Sequence, residues 1–148
     1  MIELAKTSTA IATPINDVFS YVSNMENYVR WFPGVVAIRS KNNLMHAVVG
    51  KTYVETLNLP DGESELTIEV DQCDTDRLFI TKGDLAGVLP QMTVMFSSDE
   101  ENNCLIILQY HSRNTSLTEK SDIVIALKED LTVRAEKGIA RLKEILES

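Results

Sequence analysis

From residue 119 to the end of the chain, apolar residues recur at three- and four-residue intervals. Val124, Leu127, Leu131, Ala135, Ile139, Leu142, Ile145 and Leu146 form one stripe with Gly138 inside it, whereas Glu129, Asp130, Glu136, Lys137, Arg141, Lys143 and Glu144 fall off it. At about 100° per residue the stripe is roughly 120° wide, which predicts a long helix with one wet side. Such a helix needs a broad apolar surface to lie on. Upstream, the period changes from helical to alternating. Leu66, Ile68 and Val70 oppose Glu65, Thr67, Glu69 and Asp71; Met92, Val94 and Phe96 share a face, as do Ile106, Leu108 and Tyr110. Short runs with a period of two predict half-buried strands. They cover about 35–41, 50–59, 63–72, 77–82, 91–98 and 103–113, and residues 2–12 read as a first, edge strand.

The connections between these runs carry turn chemistry. Pro60-Asp61-Gly62, Asp74-Thr75-Asp76 and the polar run Ser98 to Asn103 are short, as antiparallel neighbours require. Two short helices precede the hairpins. Thr13 offers a cap and Pro14 a first helical residue, with Ile15, Val18, Phe19 and Val22 inward. Ser23 and Glu26 have the spacing of a capping box, opening a second helix that carries Tyr28, Val29, Trp31 and Phe32 and ends at Pro33-Gly34. The sum is an α+β fold: a seven-stranded antiparallel curved sheet, two short helices after strand 1, and a long C-terminal helix packed across it. All of it forms one domain, residues 1–148. Two stretches are more apolar than their positions require. Gly83 to Gln91 contains Leu85, Ala86, Val88 and Leu89 and is expected to fold over an opening. Ile123 to Leu127 is apolar on every side; its surplus residues are expected to pack under that loop, with the mouth of a cavity or a second subunit as alternatives.

Charge removes several classes of function. Against 14 basic residues stand 22 acidic ones, a net charge of -8 at pH 7, and no Lys/Arg stripe supplies the electrostatic footprint of nucleic-acid binding. No apolar run approaches the roughly 18 residues of a membrane span, and the first residues read as a strand rather than a secretory signal, so a cytoplasmic location is expected. Cys73 and Cys104 have no CxxC or nearby His partner and are expected as buried free thiols, with no metal site and no cofactor. Ser-His-Asp order, nucleophile elbow, P-loop and dinucleotide fingerprint are all missing. His46 and His111 have no recognisable partner along the sequence and read as surface histidines.

Three segments, Ala12-Thr13-Pro14-Ile15-Asn16-Asp17-Val18-Phe19-Ser20-Tyr21-Val22-Ser23-Asn24, Trp31-Phe32-Pro33-Gly34-Val35 and Val49-Gly50, sit in an order of elements that resembles the helix-grip fold of the START-related (SRPBCC) superfamily. That superfamily includes pollen-allergen-like, lipid-transfer and polyketide cyclase/dehydrase proteins. The resemblance covers essentially the whole chain and implies an elongated apolar cavity between the concave sheet and the long helix. It is informative about fold and weak about activity, because the same scaffold serves several functions.

The residues themselves suggest what such a cavity would contain. Tyr53, Glu55, Leu57 and Leu59 share a strand face; if that face is inward, a carboxylate lies in apolar surroundings, where desolvation raises its pKa and suits it to proton transfer. Tyr53 and Tyr110 can orient a carbonyl or hydroxyl on a guest. The expected lining is Phe32 from the second short helix, Tyr53, Glu55, Leu57, Ile68, Val94, Phe96, Leu108 and Tyr110 from the sheet, and Leu127, Leu131 and Ala135 from the long helix. Ala135 and Gly138 are small, so there the helix either approaches the sheet closely or leaves room. Three functions follow as expectations. The first is binding or transport of a small hydrophobic molecule such as a lipid, isoprenoid or polyketide. The second is cyclase or dehydratase-type chemistry using Glu55 with Tyr53 or Tyr110. The third is a protein-interaction or chaperone-regulator module, with a homodimer or protein partner meeting the Ile123–Leu127 region.

Overall fold

The computed structural model of the chain describes residues 1–59 and 62–148, Leu59 through its backbone alone. In order, its elements are β1 (Ile2–Ile11), α1 (Ile15–Ser23), a 3-10 turn (Met25–Asn27), α2 (Tyr28–Trp31), β2 (Val35–Ser40), β3 (Thr52–Leu59), β4 (Gly62–Asp74), β5 (Leu78–Gly83), β6 (Pro90–Glu100), β7 (Asn103–Ser112) and α3 (Asp122–Glu147). The strands make one antiparallel sheet in the order β1-β7-β6-β5-β4-β3-β2. Strands β2 to β7 are therefore paired as successive hairpins, and β1 closes against β7.

The inward faces follow the alternation. Leu66, Ile68 and Val70, Met92, Val94 and Phe96, and Ile106, Leu108 and Tyr110 are all buried. In β1 the alternation is broken: a bulge between Glu3 and Ala5 turns both Leu4 and Ala5 into the core. Across the sheet the rings of Phe19 and Phe96 stack at 5.2 Å, which fastens α1 to β6.

Local signals at the helix starts resolve differently from the sequence expectation. Thr13 does not cap α1; Pro14 occupies the N-cap position without a side-chain bond, and the Thr13 hydroxyl donates instead to the Leu146 carbonyl at 2.8 Å. Ser23 opens no capping box, because it is buried in the last turn of α1; Asn24 takes the role, its Oδ1 accepting from the Glu26 N–H at 3.0 Å. The second helix is one 3-10 turn running into one α turn, ended at Gly34 with φ +93°. Strand β3 starts at Thr52 rather than residue 50, since Gly50 has φ +94° and the Lys51 N–H bonds back to the Val48 carbonyl. Of the expected turn Pro60-Asp61-Gly62, the first two residues lie outside the described residues.

Helix α3 is held differently along its length. At its C-terminal end three bonds latch it to the exit of β1: Ala12 N–H to Glu147 Oε2 (2.8 Å), Thr13 to Leu146, and Lys143 Nζ to the Ala10 carbonyl (2.5 Å). In the middle it presses on α2. A Cβ at Gly138 would fall 3.2 Å from both the Trp31 carbonyl oxygen and Phe32 Cδ1, so the small residues serve close approach rather than open space. Toward its N-terminus the helix stands off: Val124 is buried, but Leu127 and Leu131 are only half-buried. Ile123 and Ile125 are both exposed rather than packed under the 83–91 loop, one on each flank of the buried Val124. Of the two free thiols Cys104 is buried, whereas Cys73 is half-buried.

Candidate functional site

Where α3 stands off, a cavity of about 110 Å³ remains between it and the sheet. Its floor is built by inward positions of β3, β4, β5, β6 and β7: Glu55 and Leu57, Leu66 and Ile68, Thr81 and Gly83, Met92, and Tyr110. Met25, Tyr28 and Phe32 close one side. Leu127, Asp130, Leu131 and Arg134 of α3 form the roof together with Leu85 and Val88 from the β5–β6 connection and Pro90 at the start of β6. That connection does fold over the opening. It is tied down by the Ser112 hydroxyl donating to the Val88 carbonyl (2.5 Å), Arg113 Nη2 to the Gly83 carbonyl (2.5 Å) and Asn114 Nδ2 to the Gly87 carbonyl (2.8 Å).

The lining is apolar apart from a small set of groups. Glu55 is 5% exposed and, among the described residues, no ion pair or hydrogen bond engages its carboxyl; burial alone lifts its pKa from 4.5 to about 7. Tyr28 Oη and Tyr110 Oη are 2.5 Å apart, and Tyr110 Oη is also 3.5 Å from Met92 Sδ. Burial pushes both phenols well above the ordinary range, so they stay protonated and act as donors. Two hydroxyls bonded to each other share one proton between them, which leaves the second free for Met92 Sδ or for an oxygen in the cavity. At the roof, Arg134 Nε pairs with Asp130 Oδ2 at 3.0 Å while its Nη atoms lie 3.4 Å from the Pro33 and Asn58 carbonyls. Gly34 permits this, because a Cβ there would fall 1.8 Å from Arg134 Nη1.

Of the residues expected at the cavity, Phe32, Glu55, Leu57, Ile68, Tyr110, Leu127 and Leu131 line it. The others lie outside the lining. Val94, Phe96 and Leu108 are buried in the adjoining core, where Phe96 stacks on Phe19 of α1. Ala135 is fully buried and does not border the cavity. Tyr53 is fully buried too, but its hydroxyl turns away to His46 Nδ1 at 2.5 Å, with the two rings stacked at 5.8 Å. His46 is therefore no free surface histidine; its Nε2 also lies 3.4 Å from Glu26 Oε1. Nor is His111 simply exposed, since its Nδ1 is buried without a partner among the described residues.

Several lining residues were not anticipated. Tyr28 precedes Phe32 by four residues and so shares its side of the helical turn, a signal available in the sequence. Leu66 and Met92 were on faces already read as inward. Arg134 sits beside the apolar stripe rather than in it, and nothing in the pattern points to its place at the roof. Among the described residues no cluster of three or more His, Cys, Asp and Glu side chains is arranged to hold a metal ion, and no helix is long and apolar enough to cross a membrane.

A curved antiparallel sheet closed over by a long C-terminal helix, with two short helices between the first two strands and a cavity beneath, is the START-like helix grip. Solved structures match this chain along nearly its whole length. The START superfamily protein from Mycobacterium smegmatis superposes with a TM-score of 0.75 at 11% identity, over 98% of this chain and 97% of that one. The di-domain ARO/CYC BexL from the BE-7585A biosynthetic pathway gives 0.75 at 14% identity, over 97% of this chain and 46% of that one. Ara h 8.0201 gives 0.66 at 10% identity, over 95% of each chain. The chain thus spans about half the length of the di-domain ARO/CYC proteins it resembles. It matches no protein-family model and no curated protein sequence.

Proposed function

We propose that the protein binds a small, mainly apolar molecule bearing a carbonyl or hydroxyl group, in the cavity between α3 and the sheet. The observation that carries this reading is a buried carboxyl, without a partner among the described residues, sharing a mainly apolar chamber with a hydroxyl pair. Ligand sites commonly combine an apolar wall with a few convergent polar groups. Neutral Glu55 can donate a hydrogen bond and the Tyr28–Tyr110 pair holds a second, so a guest oxygen is bound without an uncompensated charge. Lipids, isoprenoids and aromatic polyketides have the required chemistry. The ARO/CYC, START and Ara h 8.0201 neighbours support the reading at the level of a shared scaffold.

A volume of about 110 Å³ lies below the roughly 300–1,000 Å³ of ordinary ligand pockets. A larger guest therefore enters by displacing the roof, where Leu85 and Val88 meet Leu127 and Leu131. The test is displacement of a fluorescent apolar probe, anilinonaphthalene sulfonate, by a panel of fatty acids, isoprenoid alcohols and planar aromatic ketones, together with mass spectrometry of organic extracts of gently purified protein. Saturable displacement by one class is expected. Protein that is consistently empty and displaces no probe with any member would overturn the proposal.

One observation favours a second reading, acid–base catalysis of the cyclase or dehydratase type: a carboxyl with pKa about 7 is poised to exchange a proton near neutral pH. Its hydroxyl partner would be the Tyr28–Tyr110 pair, since Tyr53 is engaged by His46. Turnover of a poly-ketone substrate that survives Glu55→Gln unchanged would remove it. An interaction-module function through the exposed Ile123 and Ile125 is the third reading, tested by oligomeric state before and after their replacement by Asp.

A further inference from the structure

The segment joining β2 to β3, residues 41–51, is built inside out. Three of its polar residues, Asn42, His46 and Lys51, turn inward, while Lys41 and Asn43 stay exposed. Lys51 is 3% exposed, its ammonium donating to the Asn42 carbonyl at 2.9 Å and lying 5.4 Å from the Tyr53 ring centre. The Asn42 side chain donates to the Gly50 carbonyl at 3.0 Å and accepts from the Thr52 N–H at 3.3 Å, and His46 is stacked on Tyr53. The apolar residues point outward instead: Met45 is 78% exposed, Val49 58%, Leu44 44% and Val48 41%. Looseness does not explain this, because both ends are clasped. Lys41 N–H bonds the Thr52 carbonyl at 2.8 Å and Gly50 N–H the Val70 carbonyl at 2.9 Å. Four large apolar side chains held outward on an ordered tip mark a contact surface rather than incidental exposure.

Charge says what the tip contacts. From Asn27 to Val54 the chain contains no Asp or Glu, yet it holds Arg30, Arg39, Lys41 and Lys51, in a protein of net charge -8. Arg39 and Lys41 are exposed and immediately precede the apolar tip. The acidic groups nearest by pairing stand at its base: Glu26, which His46 Nε2 and Ser40 Oγ engage at 3.4 and 3.1 Å, and Glu69 opposite Thr52. An apolar point with a basic collar complements a surface that is anionic outside and apolar beneath, and the acidic remainder of the protein is repelled from the same surface, which fixes the orientation. A tip of four side chains is also smaller than the roughly 1,000 Å² that a specific protein interface needs.

We infer that residues 41–51 dock this protein on an anionic lipid bilayer, with Leu44, Met45, Val48 and Val49 entering the boundary between headgroups and acyl chains and Arg39 and Lys41 facing the phosphates. Co-sedimentation of the full chain with vesicles tests it. Vesicles of equal parts phosphatidylcholine and phosphatidylserine should pellet the protein, and phosphatidylcholine alone should not. The double variant Met45→Asp/Val49→Asp should lose binding while keeping its far-ultraviolet circular dichroism, and Arg39→Gln and Lys41→Gln should each weaken it about fivefold. Ile123→Asp/Ile125→Asp, at residues also exposed but on α3, should bind as the parent does. The inference fails if the parent ignores the anionic vesicles, if Met45→Asp/Val49→Asp binds unchanged, or if that variant instead abolishes self-association of a parent that does not bind lipid.

Discussion

Replacing Glu55 by Gln isolates the physical consequence of burying a lone carboxyl. In the folded protein its pKa is about 7 against an ordinary 4.5, so between these values the native state retains a proton that the unfolded chain releases. Stability therefore falls as pH rises: this group's share is intact below about pH 4.5 and is lost as pH passes through 7. At about 1.4 kcal/mol per pH unit the whole loss is roughly 3 kcal/mol. Glu55 is buried, so solvent screening does not dilute the effect. Urea unfolding at a series of pH values, followed through the fluorescence of Trp31, the single and buried tryptophan, measures it directly. Any fixed cost of the amide cancels, because the readout is the difference between two pH dependences. The carboxyl of Glu147, held below its ordinary range by the Ala12 N–H and Lys143, contributes at the acid end of both curves alike. The parent should lose stability relative to Glu55→Gln between about pH 4.5 and 7, the gap levelling off at roughly 3 kcal/mol by about pH 8. Parallel curves would refute the assignment of a carboxyl whose pKa burial raises.

Three further outcomes follow from the packing. Gly138→Val should destabilise by about 2–3 kcal/mol in thermal or urea unfolding, since even a Cβ there lies 3.2 Å from the Trp31 carbonyl oxygen. Tyr110→Phe should cost about 1–2 kcal/mol by stranding the buried Tyr28 hydroxyl, and adding Tyr28→Phe should cost less than the sum of the single changes, a coupling that a double-mutant cycle reads directly. Leu131→Trp should fill the cavity beneath α3, lowering affinity for an apolar probe by tenfold or more while leaving the unfolding midpoint near that of the parent, as measured by probe titration and melting.

Much of the architecture could be read from periodicity. Alternation specifies which side of a strand is buried, and a helical stripe specifies which side of α3 is, because both are properties of the local backbone repeat. The apolar character of the β5–β6 connection likewise announced a cover over something. The capping signals were less transferable. Thr13 and Ser23 are good caps in isolation, yet Thr13 found a better use 133 residues away at the end of α3, and Ser23 was drawn into the core.

The site divides along the same line. Alternation and the helical stripe pointed Tyr110, Leu127 and Leu131 inward, while Glu55 was inward only on condition that its strand face was, and the gripping arrangement of sheet and helix followed from the resemblance in the order of elements. Tertiary structure decided which part of that interface is solid and which hollow: Gly138 lets α3 close down onto α2, and nearer its N-terminus Leu127 and Leu131 roof the cavity. It also decided the partnerships, bringing Tyr28 to Tyr110 across 82 residues and His46 to Tyr53, and leaving Glu55 with none among the described residues. The reason is that a pattern encodes the direction of each side chain, a property of its own backbone, whereas distance and burial belong to pairs of elements and exist only once the chain has closed.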